Sequence, residues 1–102
     1  MRIGIRGRHI DLTEALLAHV ERRLRFALSR FGQEIRLAAA QLADLNGPRG
    51  GVDKQCKVTV TLSPSGKVMV EATDADLHTA IDRAADRLER SVTRELKRRR
   101  EF

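Results

Sequence analysis

The residues best equipped for chemistry in this chain are cations. Arg83, Arg87, Arg90, Arg94, Lys97 and Arg98 recur every three or four positions near its end. On a helix turning 100° per residue they form one stripe, roughly 22 Å long at about 1.5 Å of rise per residue. A guanidinium presents a planar fork of donors that matches phosphate bidentately. A row of them suits the backbone of a nucleic acid, whose charge repeats along one axis. Asp82, Asp86 and Glu89 occupy the far flank of that stripe, so the charges are sorted rather than mixed. The alternative is a solvated face laced by i,i+4 pairs such as Asp86–Arg90. Arg22, Arg23, Arg25 and Arg30 make a second basic cluster, and Arg99 and Arg100 extend the first.

Other chemistries find less support. His9, His19 and His78 are scattered, and no Ser-His-Asp or Cys-His set can be assembled, so no catalytic site and no enzyme activity is expected. His78 near Asp74 and Asp82 resembles a ligand set, but carboxylates at a helix start serve far more often as caps and dipole partners. No metal or cofactor is therefore expected. The glycine-rich residues 46–51 do not form a Walker-type phosphate loop. Val52, Asp53 and a strand follow them, where such a loop needs a lysine, then Ser or Thr, then a helix. Cys56, the single cysteine, rules out an internal disulfide and multi-cysteine zinc patterns, and its register with Val58 and Val60 makes it a small buried hydrophobe. The simplest reading of the 46–53 loop is a hairpin connection. Its length exceeds the two to five residues such a turn needs, and it carries Arg49 and Lys54, which points to a secondary nucleic-acid contact.

Composition frames these choices. The 102 residues carry 20 Lys and Arg against 14 Asp and Glu, a net charge of +6, and sixteen of the cations are arginine. That excess favours an anionic partner. With 41% hydrophobic residues the chain can close one core, and no apolar run approaches the ~18 residues of a membrane span. The start "MRIGIRGRHI" has no apolar signal core, so the reading is cytoplasmic, with no membrane and no small-molecule partner. Phe26, Phe31 and Phe102 lie in or after helices, and there is no Trp or Tyr. No exposed aromatic anchor is evident. RNA readers that stack bases use aromatics, so the expected contacts here go to phosphate and sugar.

These side chains must be positioned by a small set of elements. "RIGIRG" alternates as a half-buried strand, with Ile3 and Ile5 on one side. "DLTEALLAHVERRLRFALSRFG" reads as a helix ended by Gly32, its start marked by Asp11 and Glu14 at capping-box spacing or by Thr13 as N-cap. "EIRLAAAQL" is predicted to be a strand with Ile35, Leu37 and Ala39 inward, although three alanines suit a helix better. "KQCKVTVTL" and "KVMVEAT" are strands joined by the tight turn "SPSG". A final long helix buries Leu77, Ile81, Ala84, Leu88 and Val92, with Asp74 and Asp76 at its positive end. The order β-α-β-β-β-α predicts an α+β domain: a four-stranded sheet with both helices on one face and the first two strands parallel. Residues 1–95 form that domain, and 96–102 are a basic end expected to fray. Two helices side by side are expected to merge their arginines into one basic ridge.

The segments "GRHIDLTEAL" and "EATDADLHTAIDRAADRLERSVTRELKR" resemble the short ribosome hibernation-promoting factors. That family is also called ribosome-associated inhibitor A, or sigma-54 modulation proteins. The likeness covers nearly the whole chain and is most specific over residues 76–90. It implies a domain similar to a double-stranded RNA-binding domain with an extra leading strand. It also implies binding to ribosomal RNA of the small subunit, in the channel of messenger and transfer RNA, so that translation stops in slow growth. Arg22, Arg23, Arg25, Arg30, Arg83, Arg87, Arg90, Arg94, Lys97 and Arg98 would then face the RNA. His78 replaces the family's usual aromatic, the 46–53 loop is longer, and arginine replaces much lysine. The likeness is to short members, so the extra domain by which long members pair ribosomes is expected to be missing. A protein-partner regulator of the sigma-54 modulation type and a general double-stranded RNA-binding module are the alternatives.

Overall fold

Alternation along β1 (Arg2–Arg8) half-buries Ile3 and Ile5, and the chain then reaches α1 (Glu14–Leu28). The computed structural model describes residues 1–46 and 51–100. Gly7, near the end of β1, has to be glycine, because a Cβ there would lie 2.9 Å from the Ile10 carbonyl and 3.0 Å from Leu12 Cγ. Thr13 settles the start of α1: its Oγ1 accepts the Leu16 N–H at 3.2 Å. Of the two starts the sequence offers, the Thr13 cap is the one formed, not the Asp11–Glu14 capping box. The helix also stops four residues before Gly32. It passes at Ser29 into a 3-10 segment (Ser29–Glu34), inside which Gly32 takes φ 57°, ψ −128° and turns the chain toward the sheet.

The sheet order is β1-β2-β3-β4, with β2 (Ile35–Asp44) parallel to β1. Strands β3 (Lys54–Leu62) and β4 (Lys67–Asp74) continue it antiparallel. The alanine-rich β2 is a strand because it is central, with ladder partners on both sides; tertiary pairing outweighs helix propensity. Its phase differs from the alternation predicted from Ile35. A register irregularity between Ile35 and Leu37 advances the pleat by one residue. Beyond it Ala38, Ala40 and Leu42 are buried, while Leu37 and Ala39 face solvent. In β3 the predicted phase holds: Cys56, Val58, Val60 and Leu62 all point into the core.

The closing helix α2 (Leu77–Arg100) packs on β3 and β4, α1 touches β1 and β2, and the two helices touch each other, so both lie on one sheet face. The core is the shared interior: Leu16, Val20 and Leu24 from α1, Ile81, Leu88 and Val92 from α2, over the inward side chains of the sheet. Residues 96–100, within the basic end, continue α2. Leu96 is buried, Arg99 Nη1 donates to the Ser63 carbonyl at 3.2 Å, and Arg100 pairs with Glu34 at 2.8 Å.

The phase of β2 can be tested with one substitution made at two neighbours. Ala38→Thr forces a hydroxyl and extra volume into a site with no exposure and should lower unfolding free energy by about 1–3 kcal/mol. Ala39→Thr, on the solvent face, should stay within about 0.5 kcal/mol in urea titrations.

Candidate nucleic-acid interface

Burying Ala80, Ile81, Ala84, Ala85, Leu88 and Val92 fixes how α2 is rotated about its axis. One flank then faces α1 and the other the outer strand β4. The start of α2 is capped by Asp76, whose Oδ2 accepts the Thr79 N–H at 3.0 Å and the Thr79 hydroxyl at 2.8 Å. The threonine bonds hold the Asp76 carboxyl below its ordinary pKa. Asp74 Oδ1 accepts the Asp76 N–H, and its Oδ2 accepts Arg83 at 3.2 Å. Asp74 and Asp76 therefore serve the helix start, while Asp82 pairs with Arg23 of α1. Among the described residues no group of three or more metal-ligating side chains comes together.

The flank toward α1 is acidic, and it takes up cations of α1. Arg23 Nε meets Asp82 Oδ1 at 3.0 Å and its Nη2 meets Asp86 Oδ1 at 3.1 Å. His19 Nε2 lies 2.9 Å from the same Asp82 oxygen, with its ring 4.7 Å from that of His78. Arg30 donates to Thr93 Oγ1 at 2.7 Å and approaches Glu89 at 3.5 Å. Arg25 pairs within its own helix with Glu21. The arginines of α1, expected to join the α2 row in one ridge, thus divide. Arg23 and Arg30 bridge the helices, Arg25 is paired locally, and Arg22 has no carboxylate in ion-pair range among the described residues.

The opposite flank carries the basic row. Arg83 is paired with Asp74, Arg98 meets Glu95 at 2.6 Å, and Arg87 donates to the Glu71 carbonyl on the edge of β4. Among the described residues Arg94 reaches only the Ser91 hydroxyl, at 3.4 Å. Arg90 and Lys97, along the crown of α2, have no carboxylate in ion-pair range among the described residues. Shallow grooves run beside the row, one lined by Val70, Glu71, Arg87, Arg90 and Arg94, the next by Lys67, Val68, Arg94 and Arg98. The available positive charge therefore lies along the outside of α2 and the β4 edge.

Two sequence expectations meet different surroundings. Lys54 sits at the base of the hairpin between Asp53 Oδ1 (2.9 Å) and Asp44 Oδ2 (3.4 Å), and the bond to Asp53 raises its pKa. Its ammonium is held by two carboxylates. Arg49 and residues 47–50 lie outside the described residues. Phe26, in contrast to the expectation of no exposed aromatic, is 76% exposed on α1. The apolar periodicity of α1 skips position 26, and that signal was available in the sequence. Cys56 is enclosed, and burial pushes its thiol up to about 12.

Residues 3–100 match the family described as Sigma 54 modulation protein / S30EA ribosomal protein. A ribosome hibernation promotion factor from Deinococcus radiodurans is 35% identical over 103 residues, covering 93% of this chain and 51% of that protein. The chain thus spans about half the length of that relative. A ribosome hibernation promoting factor from Pseudomonas putida is 29% identical across 90% of this chain and 83% of its own. The crystal structure of the Thermus thermophilus Protein Y N-terminal domain superposes with a TM-score of 0.75 at 36% identity, covering 92% of this chain and 98% of that one. A ribosomal subunit interface protein from Coxiella burnetii shares the fold, with a TM-score of 0.80 at 20% identity, covering 95% and 99%.

Two measurements check this division of labour. Arg23→Ala should cost about 1 kcal/mol of unfolding free energy by freeing two carboxylates at the helix seam, whereas Arg22→Ala should leave stability unchanged. A disulfide reagent at pH 8 should leave Cys56 unmodified in the folded protein and modify it fully in denaturant, because little thiolate forms and the core excludes the reagent.

Proposed function

The chain belongs to the Sigma 54 modulation protein / S30EA ribosomal protein family, and we propose that it is a ribosome-associated factor that restrains translation. Its relatives from Deinococcus radiodurans and Pseudomonas putida carry the name of ribosome hibernation factors, which supports this reading. In it, the small subunit is the partner, ribosomal RNA is the surface met, and the messenger and transfer RNA channel is the place.

The observation that carries the proposal is the sorting of charge on α2. Arg87, Arg90, Arg94 and Lys97 are exposed along one flank, and no carboxylate neutralises them among the described residues. A chain using its arginines only for stability would place them, like Arg23, between carboxylates. A protein partner fits less well, since a tight protein interface needs a central apolar anchor and depletes charge there. The row extends roughly 15 Å from Arg87 to Lys97 at about 1.5 Å per residue and runs beside a strand edge. Phosphate contacts along it position RNA by shape, without reading sequence. Arg87, which also covers the β4 edge, helps hold α2 on the sheet while presenting the rest of its guanidinium outward.

The test is co-sedimentation with purified small subunits at a series of salt concentrations. Affinity should fall steeply with salt, since each phosphate contact releases a counterion and adds about 0.7–0.9 to the log–log slope. The pair Arg90→Glu with Arg94→Glu should weaken binding more than about tenfold and flatten that slope. The thermal midpoint should barely move, because neither side chain holds a structural ion pair. Normal binding by the double variant would remove the α2 row from the interface.

A further inference from the structure

Phe26 is the one strongly exposed phenyl ring among the described residues; Phe31 is half-buried, with the Arg30 guanidinium carbon 4.8 Å from its ring centroid. Its placement follows from the seam between the helices. The cross-helix partners His19 with Asp82, Arg23 with Asp86, and Arg30 with Thr93 share one sequence offset, so α1 and α2 run side by side in the same direction. Phe26 lies three residues from Arg23 and four from Arg30, on the side of α1 that meets α2 but turned further out. That puts the ring at the lip of the seam, level with Glu89 and Arg90. The Arg23 guanidinium carbon is 6.0 Å from the ring centroid, and its two carboxylate bonds hold that guanidinium in place. Arg22, one turn before Phe26, and Arg90 and Lys97 on the crown of α2 have no carboxylate in ion-pair range among the described residues.

We propose that Phe26 is a stacking platform for one unpaired nucleobase of the RNA that this helical layer binds. The inference rests on the ribosomal RNA reading above and sharpens it: recognition then includes a single-stranded or bulged nucleotide as well as a phosphate backbone. The chemistry is that of an exposed π-face among cations. Every base has a face that stacks on an aromatic ring, and the flanking arginines hold the phosphates on either side of the flipped nucleotide. The other large exposed apolar side chains lack this combination. Leu37 and Met69 lie on the outer sheet face, and none of Met1, Leu37, Leu45, Val52 and Met69 is aromatic. A ring on a solvated helix face, where arginine or alanine is a better helix former, is a choice that helix stability does not require.

The chain's lack of Trp and Tyr provides the test. Phe26→Trp installs a single fluorophore at the platform, and stacking on a base quenches indole emission. The variant is titrated with small subunits, with an RNA hairpin bearing an unpaired adenine loop, and with a blunt duplex of the same stem. Phe26→Ala is measured in parallel. The expected result is quenching by the subunits and the looped hairpin but not by the duplex. Phe26→Ala should bind roughly tenfold more weakly with an unchanged salt slope, because stacking releases no counterions. Subunit binding without quenching, together with full affinity of Phe26→Ala, overturns the platform and leaves the ribosomal reading intact. Blue-shifted, unquenched emission on subunits also overturns it, since the ring would then be packed against protein. Quenching by the looped hairpin without subunit binding keeps the platform and removes the ribosomal reading. Binding to none of the three RNAs removes both.

Discussion

The rotation of α2 about its own axis is the constraint on which the surface chemistry depends. Six apolar positions, Ala80, Ile81, Ala84, Ala85, Leu88 and Val92, lock one stripe of the helix onto the sheet. At 100° per residue that choice decides where every other side chain points. Asp82, Asp86 and Glu89 are carried toward α1, and the basic row is carried away from it. Turning the helix by one residue would place charges in the core, at a cost no surface contact offsets. Core packing therefore sets the electrostatic surface, although the core contains almost no charge.

The acidic flank then acts as a filter on arginine. Arg23 and Arg30 find carboxylates or hydroxyls across the seam, and their charge goes to joining the helices. Such half-exposed pairs stabilise modestly, but they fix the spacing of α1 against α2 and hold the guanidinium beside Phe26. The cations left over, chiefly Arg22, Arg90, Arg94 and Lys97, have nothing comparable to neutralise them among the described residues. Net charge alone would not separate these two populations. The same residue type braces the fold at one helix flank and leaves the protein open to polyanions at the other.

A comparable division runs through the β2–β3 hairpin. Lys54 faces Asp44 across the ladder and also meets Asp53, a carboxylate only 1% exposed. Leu45 N–H donates to the Asp53 carbonyl at 2.8 Å, so the base of the connection is closed by backbone and side chain together. A lysine beside a glycine-rich loop reads in the sequence as part of a secondary RNA contact. In the fold it is the counter-ion that allows Asp53 to be buried.

Much of this protein was legible as a string. Strict alternation over Cys56–Leu62 and the apolar stripe of α2 determined two elements, their inward faces and the charge sorting, because period and burial are local consequences of backbone geometry. Sequence likeness over residues 76–90 pointed to the family. The phase of β2 was not legible, since the irregularity near Ile35 arises from pairing with Thr61 and Leu62 of β3, distant in the chain. The end of α1 at Leu28 and its threonine cap were also matters of competition between nearby signals. Which arginines are braces and which are free was decided only in the tertiary structure. The partners are 59 to 63 residues apart in the chain, and no local pattern reports a distance that packing alone creates.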